Sequence, residues 1–293
     1  MSSSSQTKNS QRVPVPSQAS VALLYKLCQR LKPMMTSTTY LSQQQLHDLG
    51  VKCTELDFDT GIPADGGPRF LQLASLEHIE TLAKENNLIE HCSVNTSFDT
   101  YDSWHTMRAI SYFYDYNLFA LVPKTDKYTA SDQDMPHETV LDHSPWKYSD
   151  HVTINGLRWG TYFALKLKDN SEPDMICFLG NINPLDDEKI YISELWCIAR
   201  FSCNQLSKKE HRHNQTASVT LVSGSGRSLR VVQGYVDTND QSVVLRKSAV
   251  IELRGDDENN FQKLLQVCRW FLAQPCKKQL SHLEEPEIQD NAS

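Results

Sequence analysis

No run of eighteen apolar residues occurs in this 293-residue sequence, so no stretch of it could cross a bilayer as a helix. The first residues lack the apolar core of a secretory signal, so the chain is expected in the cytosol or the nucleus. A net charge of −7 excludes a generally basic nucleic-acid binder. It leaves room for a local cationic site, because the field at a site is set by nearby charges. There is no internal repeat, no Gly-x-Ser-x-Gly nucleophile elbow and no Cys/His nucleophile pair. Cys197, Cys203, His211 and His213 have the spacing C-x5-C-x7-H-x-H, which fits no tetrahedral zinc pattern. All eight cysteines are scattered, most of them in apolar stretches, and read as free thiols packed as small hydrophobes. Ser223-Gly224-Ser225-Gly226 precedes a strand rather than opening a helix, so it reads as a hairpin turn and not a phosphate cradle.

What is present reads as one α+β domain over residues 21–278, between a Ser/Gln-rich disordered arm (1–20) and an acidic disordered tail (279–293). Apolar spacing predicts helices over 21–31, 41–49, 73–89 and 104–116, with Pro33 ending the first and Gly50 closing the second. Residues 61–68 are a loop by composition. Strands are expected at 118–122, in a hairpin over 151–168 turning at Asn155-Gly156, and at 175–179, 191–203 and 218–222. Residues 124–145 read as a polar loop, and 205–215 as a polar connection carrying Lys208, Lys209 and Arg212. A solvated loop is the simpler reading of that basic run, and contact with a phosphate backbone is the alternative. Asp256 offers an N-cap for a last helix over 258–273, with Phe261, Leu264, Leu265, Cys268 and Leu272 as its buried stripe.

The stretch 228–254 carries the sharpest chemistry. Both of its halves are rich in β-branched residues around Asn239-Asp240, which predicts two neighbouring strands. Alternation puts Tyr235 and Asp237 on one face of the first strand, and Glu252 and Arg254 on one face of the second. An acid followed about fifteen positions later by Glu-x-Lys is a common way for nucleases to hold magnesium, but this chain has Glu-x-Arg. Two carboxylates are also a thin supply for an octahedral cation. An ion pair of Arg254 with Glu252 or Asp237 is the structural alternative.

Five motifs in order over residues 60–275 resemble the DXO decapping-nuclease family, enzymes that act on incompletely capped RNA 5′ ends. Trp104-His105-Thr106-Met107-Arg108 stands for the family's first helix, and Arg158-Trp159-Gly160-Thr161-Tyr162-Phe163-Ala164 for its Lys-Phe-Glu segment. Gly234-Tyr235-Val236-Asp237 stands for Gly-Glu-Val-Asp and Glu252-Leu253-Arg254 for Glu-Leu-Lys. Residues 263–272 stand for the final helix, with Arg269 or Trp270 at the expected glutamine. The resemblance implies a mixed β-sheet related to the PD-(D/E)xK nucleases, flanked by helices. It also implies that Ala164, Tyr235, Arg254 and Arg269 are degenerate catalytic positions, with Asp237 and Glu252 as residual metal ligands. Arg108, Arg254 and Tyr235 would then be the RNA- or phosphate-binding residues. The implied protein has no cofactor, or at most weak Mg or Mn, and binds or protects uncapped RNA 5′ ends without cutting them.

Such eroded sites are similar to those of the family's insect germline branch. That likeness implies a nuclear role in the piRNA pathway, supporting transcription of piRNA precursors and so transposon silencing. The implied partners are RNA 5′ ends and chromatin-associated proteins of the Rhino and Deadlock type, with no membrane. Two other readings are carried forward: an active metal-dependent decapping or 5′–3′ nuclease with a reduced site, and a protein scaffold with a sealed pocket.

Overall fold

The computed structural model describes residues 15–85, 103–117, 144–149 and 158–276. The chain opens with α1 (Gln18–Leu31), then β1 (Tyr40–Leu41), α2 (Gln43–Asp48), β2 (Val51–Glu55), β3 (Leu71–Gln72), α3 (Leu76–Glu85) and α4 (Ser103–Asn117). Next come β4 (Trp146–Ser149), β5 (Trp159–Leu167), β6 (Met175–Asn181), β7 (Ile190–Tyr191) and α5 (Ile192–Leu206). The last elements are β8 (Val219–Ser225), β9 (Ser228–Asp237), β10 (Ser242–Lys247), β11 (Ile251–Glu252), α6 (Asp257–Phe271) and β12 (Gln274–Pro275). Helix α1 begins at Gln18, so the expected disordered arm is already helical over its last three residues.

An eight-stranded mixed sheet runs in the order β2-β10-β9-β8-β6-β5-β4, with β11 added on β9. β10 is parallel to β2 and β6 to β8, and the other neighbours are antiparallel. Helices lie on both faces, as the apolar alternation of the strands requires. One face packs on α1 and α5 through Ala164, Cys177, Leu221, Val232 and Leu245. The other packs on α3, α4 and α6 through Phe163, Phe178, Val231, Tyr235 and Val244.

The local signals set several elements. Ser42 and Gln45 form a reciprocal capping box on α2, and Gly50 ends that helix at φ +75°, a conformation glycine adopts without strain. Asp256 accepts the Asn259 amide at 2.9 Å and so caps α6, whose expected stripe is buried. Asp256→Ala is expected to lower stability by about 1 kcal/mol, read as a drop in thermal midpoint with the fold unchanged.

Two expectations are corrected, and a third lies partly outside the described residues. Residues 191–203, expected as a strand, form the buried helix α5 instead. It lies between α1 and the sheet, and Ile192, Leu195, Ile198, Ala199, Cys203 and Leu206 keep helical spacing; that spacing, and Glu194 reaching back to the Tyr191 amide at 2.9 Å, were the readable signals. β5 pairs antiparallel with β4 on one side and β6 on the other; residues 151–157, which hold the first arm and the turn of the expected hairpin, lie outside the described residues. The strand expected after Asn239-Asp240 is broken: β10 ends at Lys247 and β11 resumes at Ile251. The strand at 118–122, the helix beyond 85, Cys92 and the tail also fall outside the described residues.

Candidate functional site

The break between β10 and β11 decides the fate of the predicted site. β10 pairs residues 242–247 with 237–232 of β9, whereas β11 pairs Glu252 with Ser228 at the other end of β9. Asp237 and Glu252 are therefore nine residues apart along one strand, roughly 30 Å at about 3.3 Å per residue. No single metal can bridge them. Asp237 Oδ1 instead accepts the amides of Asn239 and Asp240 in the β9–β10 turn. Glu252 accepts from the Ser228 hydroxyl at 2.9 Å and pairs with Arg254 at 3.3 Å, the structural alternative read from the sequence. Arg254 is a surface side chain, 80% exposed.

The other predicted positions also scatter. Ala164 is buried on the α1/α5 face, opposite the face that holds Tyr235. Arg108 lies exposed on α4, its Nε donating to the Tyr112 hydroxyl at 2.9 Å and its guanidinium over the Tyr112 ring. Arg269 donates to the Ala74 carbonyl at 2.8 Å. Trp270 is the inward member of that pair, donating to the Phe58 carbonyl at 3.2 Å. Of the predicted residues, only Tyr235 enters a polar cluster in the interior.

That cluster centres on Arg246, a residue the sequence reading passed over. Its side chain is fully buried, and all five of its N–H donors are used. Nε and Nη2 form a two-pronged pair with the Asp65 carboxylate, both at 2.9 Å. Nη2 also donates to the Tyr235 hydroxyl at 3.1 Å, while Nη1 donates to the Pro68 carbonyl at 2.6 Å and to Gln233 Oε1 at 3.4 Å. The guanidinium lies over the Tyr235 ring at 4.7 Å and near the Phe70 ring at 5.8 Å, adding cation–π attraction.

Asp65 is completed by the Gly67 amide at 2.9 Å and the Thr54 hydroxyl at 3.1 Å. Burial pushes its carboxyl up, but the Arg246 and Gly67 hydrogen bonds outweigh that and hold it below the usual carboxylate range. Burial pushes the Tyr235 phenol up against the pull of Arg246. The loop lies so close that a Cβ on Gly67 would stand 2.5 Å from Arg246 Nη2 and 3.1 Å from the Tyr235 oxygen. The 61–68 loop therefore closes over this part of the sheet and is stitched to it.

Around the cluster the sheet face is aromatic and aliphatic, with Phe163, Phe178, Val244 and Leu253. Among the described residues no three His, Cys, Asp or Glu side chains converge on a possible metal site. The neighbouring turn of the same loop lines an open groove of about 790 Å³ with Glu55, Asp57, Asp59, Asp187 and Glu188, against one cation, Lys247. No helix among the described residues is long and apolar enough to cross a membrane. Compared with family models, curated proteins and solved structures, the chain finds no match.

Proposed function

We propose that this chain is a catalytically inactive DXO-like protein whose pocket is sealed, acting as a protein scaffold in nuclear transcription of germline piRNA precursors. The observation that carries the proposal is the Asp65–Arg246–Tyr235 closure. If Gly234-Tyr235-Val236-Asp237 stands for Gly-Glu-Val-Asp, the strand directly paired with it is β10. Val244 faces Tyr235 across that pair, and Arg246 follows two residues later. On this reading Val244-Leu245-Arg246, rather than Glu252-Leu253-Arg254, takes the place of Glu-Leu-Lys. Ala164 lies on the opposite face, Tyr235 and Val244 supply no carboxylate for a metal, and a guanidinium is too weak an acid to serve as a proton-transfer group at neutral pH.

The same closure disfavours the reading in which the pocket holds an RNA 5′ end. Every donor of Arg246 is already used inside the protein, and the adjoining acidic groove repels phosphate. In this proposal the chain supports precursor transcription, and so transposon silencing, through partners of the Rhino and Deadlock type.

Purified protein incubated with 5′-monophosphate or 5′-triphosphate RNA and Mg or Mn is expected to release no nucleotide. Turnover abolished by Asp237→Ala would overturn the inactive reading. A wild-type preference for 5′-monophosphate over 5′-hydroxyl RNA would overturn the sealed pocket.

A further inference from the structure

A row of lysines lies on the opposite face of the sheet from Arg246. Lys147 on β4 and Lys166 on β5 are register partners in an antiparallel pair. Trp146, Leu165 and Leu167 enter the core under α4 and α6, whereas Ala164 enters the core under α1 and α5. Strand alternation therefore sends Lys147 and Lys166 to the α5 side, directly opposite each other. Like charges so placed destabilise a sheet.

The C-terminal end of α5 extends the row. Lys166 is the register partner of Met175 on β6, and Gln205 Nε2 lies 2.7 Å from the Met175 sulfur. Gln205 Oε1 in turn accepts from Lys208 Nζ at 2.7 Å. Burial, and then the charge of Lys166, holds the Lys208 ammonium below its ordinary value. Lys209 and Arg212 follow on the surface of the next turn, while burial pushes the adjacent His211 imidazole down, so it adds no charge at neutral pH.

Asp169 and Glu210 are near enough to feel these cations, yet none of Lys147, Lys166 and Lys208 enters an ion pair among the described residues. A single phosphate would engage one or two of these groups. Cations in series, beginning with two on strands about 4.8 Å apart, suit a polymer with repeated negative charge. None of the large exposed apolar side chains among the described residues belongs to this row, so it lacks the apolar anchor that membrane-surface binding uses.

We propose that Lys147, Lys166 and Lys208, continued by Lys209 and Arg212, form a binding surface for the phosphate backbone of single-stranded nucleic acid. The surface reads phosphates and not a 5′ end, so it is independent of the sealed pocket.

The test uses the full chain and fluorescent 20-nucleotide single strands of RNA and DNA carrying a 5′-hydroxyl, followed by anisotropy at several salt concentrations. Wild type is expected to bind both strands, and Lys166→Glu/Lys208→Glu to weaken binding at least about tenfold at low salt. The slope of log affinity against log salt should fall by about 1.4 for two lost phosphate contacts. The control Lys26→Glu/Lys32→Glu makes the same charge change on exposed positions in and just after α1, and should bind as wild type does. Lys166→Glu sets an acid opposite Lys147, so its thermal midpoint should hold or rise, separating lost binding from lost fold. Absence of binding by wild type at low salt, an equal loss in the control pair, or binding only to anionic phospholipid vesicles would each overturn the proposal.

Discussion

Replacing Glu194 by alanine is expected to destabilise the fold by about 3–5 kcal/mol. Glu194 on α5 and Arg230 on β9 are both fully buried. Arg230 Nε donates to Glu194 Oε1 at 2.9 Å, and Nη2 donates to Oε2 at 2.6 Å. Its Nη1 reaches the Asp186 carbonyl at 2.8 Å, and Glu194 Oε2 also accepts the Tyr191 amide that starts α5. The alanine variant leaves a guanidinium without a counter-charge in the interior, where the desolvation penalty is largest. It also removes the cap that fixes where α5 begins. Urea unfolding should show a lower midpoint at an unchanged slope. Glu194→Leu combined with Arg230→Met should recover most of the loss, because an apolar pair has no charge to leave unpaired. A loss below about 1 kcal/mol for the single variant would show that the pair contributes little beyond an exposed one.

The second large effect belongs to Asp65. Its side chain is 19% exposed while Arg246 is fully buried, so Asp65→Ala should cost less than Glu194→Ala, about 2–3 kcal/mol at neutral pH. The pH dependence has a definite sign. The Asp65 carboxyl is held below its ordinary value in the fold, so its contribution is fully present above the unfolded value of about 3.9. That contribution falls away as pH drops through the lower folded value. The gap in thermal midpoint between wild type and Asp65→Ala should therefore be wide at pH 7 and narrow in strong acid. A gap that stayed constant with pH would mean the carboxylate is not what holds Arg246.

These two clusters show where sequence reasoning stops. Helix α6 was legible because its N-cap Asp256 and its apolar stripe are local features. Strands β8 and β9 were legible because their β-branched residues fit a pleated surface, and β6 because it is a short apolar run. Helix α5 was misread although its apolar positions keep helical spacing, because its β-branched and aromatic residues, Ile192, Trp196, Ile198 and Phe201, also suit a strand. Asp65 and Arg246 were both passed over: they lie 181 residues apart, one in a loop identified by its glycines and prolines and the other in an apolar strand.

The charge balance, the free cysteines among the described residues, the α+β class and the central place of strand β9 followed from the sequence by itself, since each depends on composition or on local alternation. The tertiary structure decided which charges meet. Breaking the strand after Lys247 sends Glu252 to the far end of β9 and leaves Arg246, rather than Arg254, beside Tyr235. The physical reason is the two-residue period of a strand, which fixes the face a side chain takes within its segment. The register between segments is set by distant packing that no local pattern records.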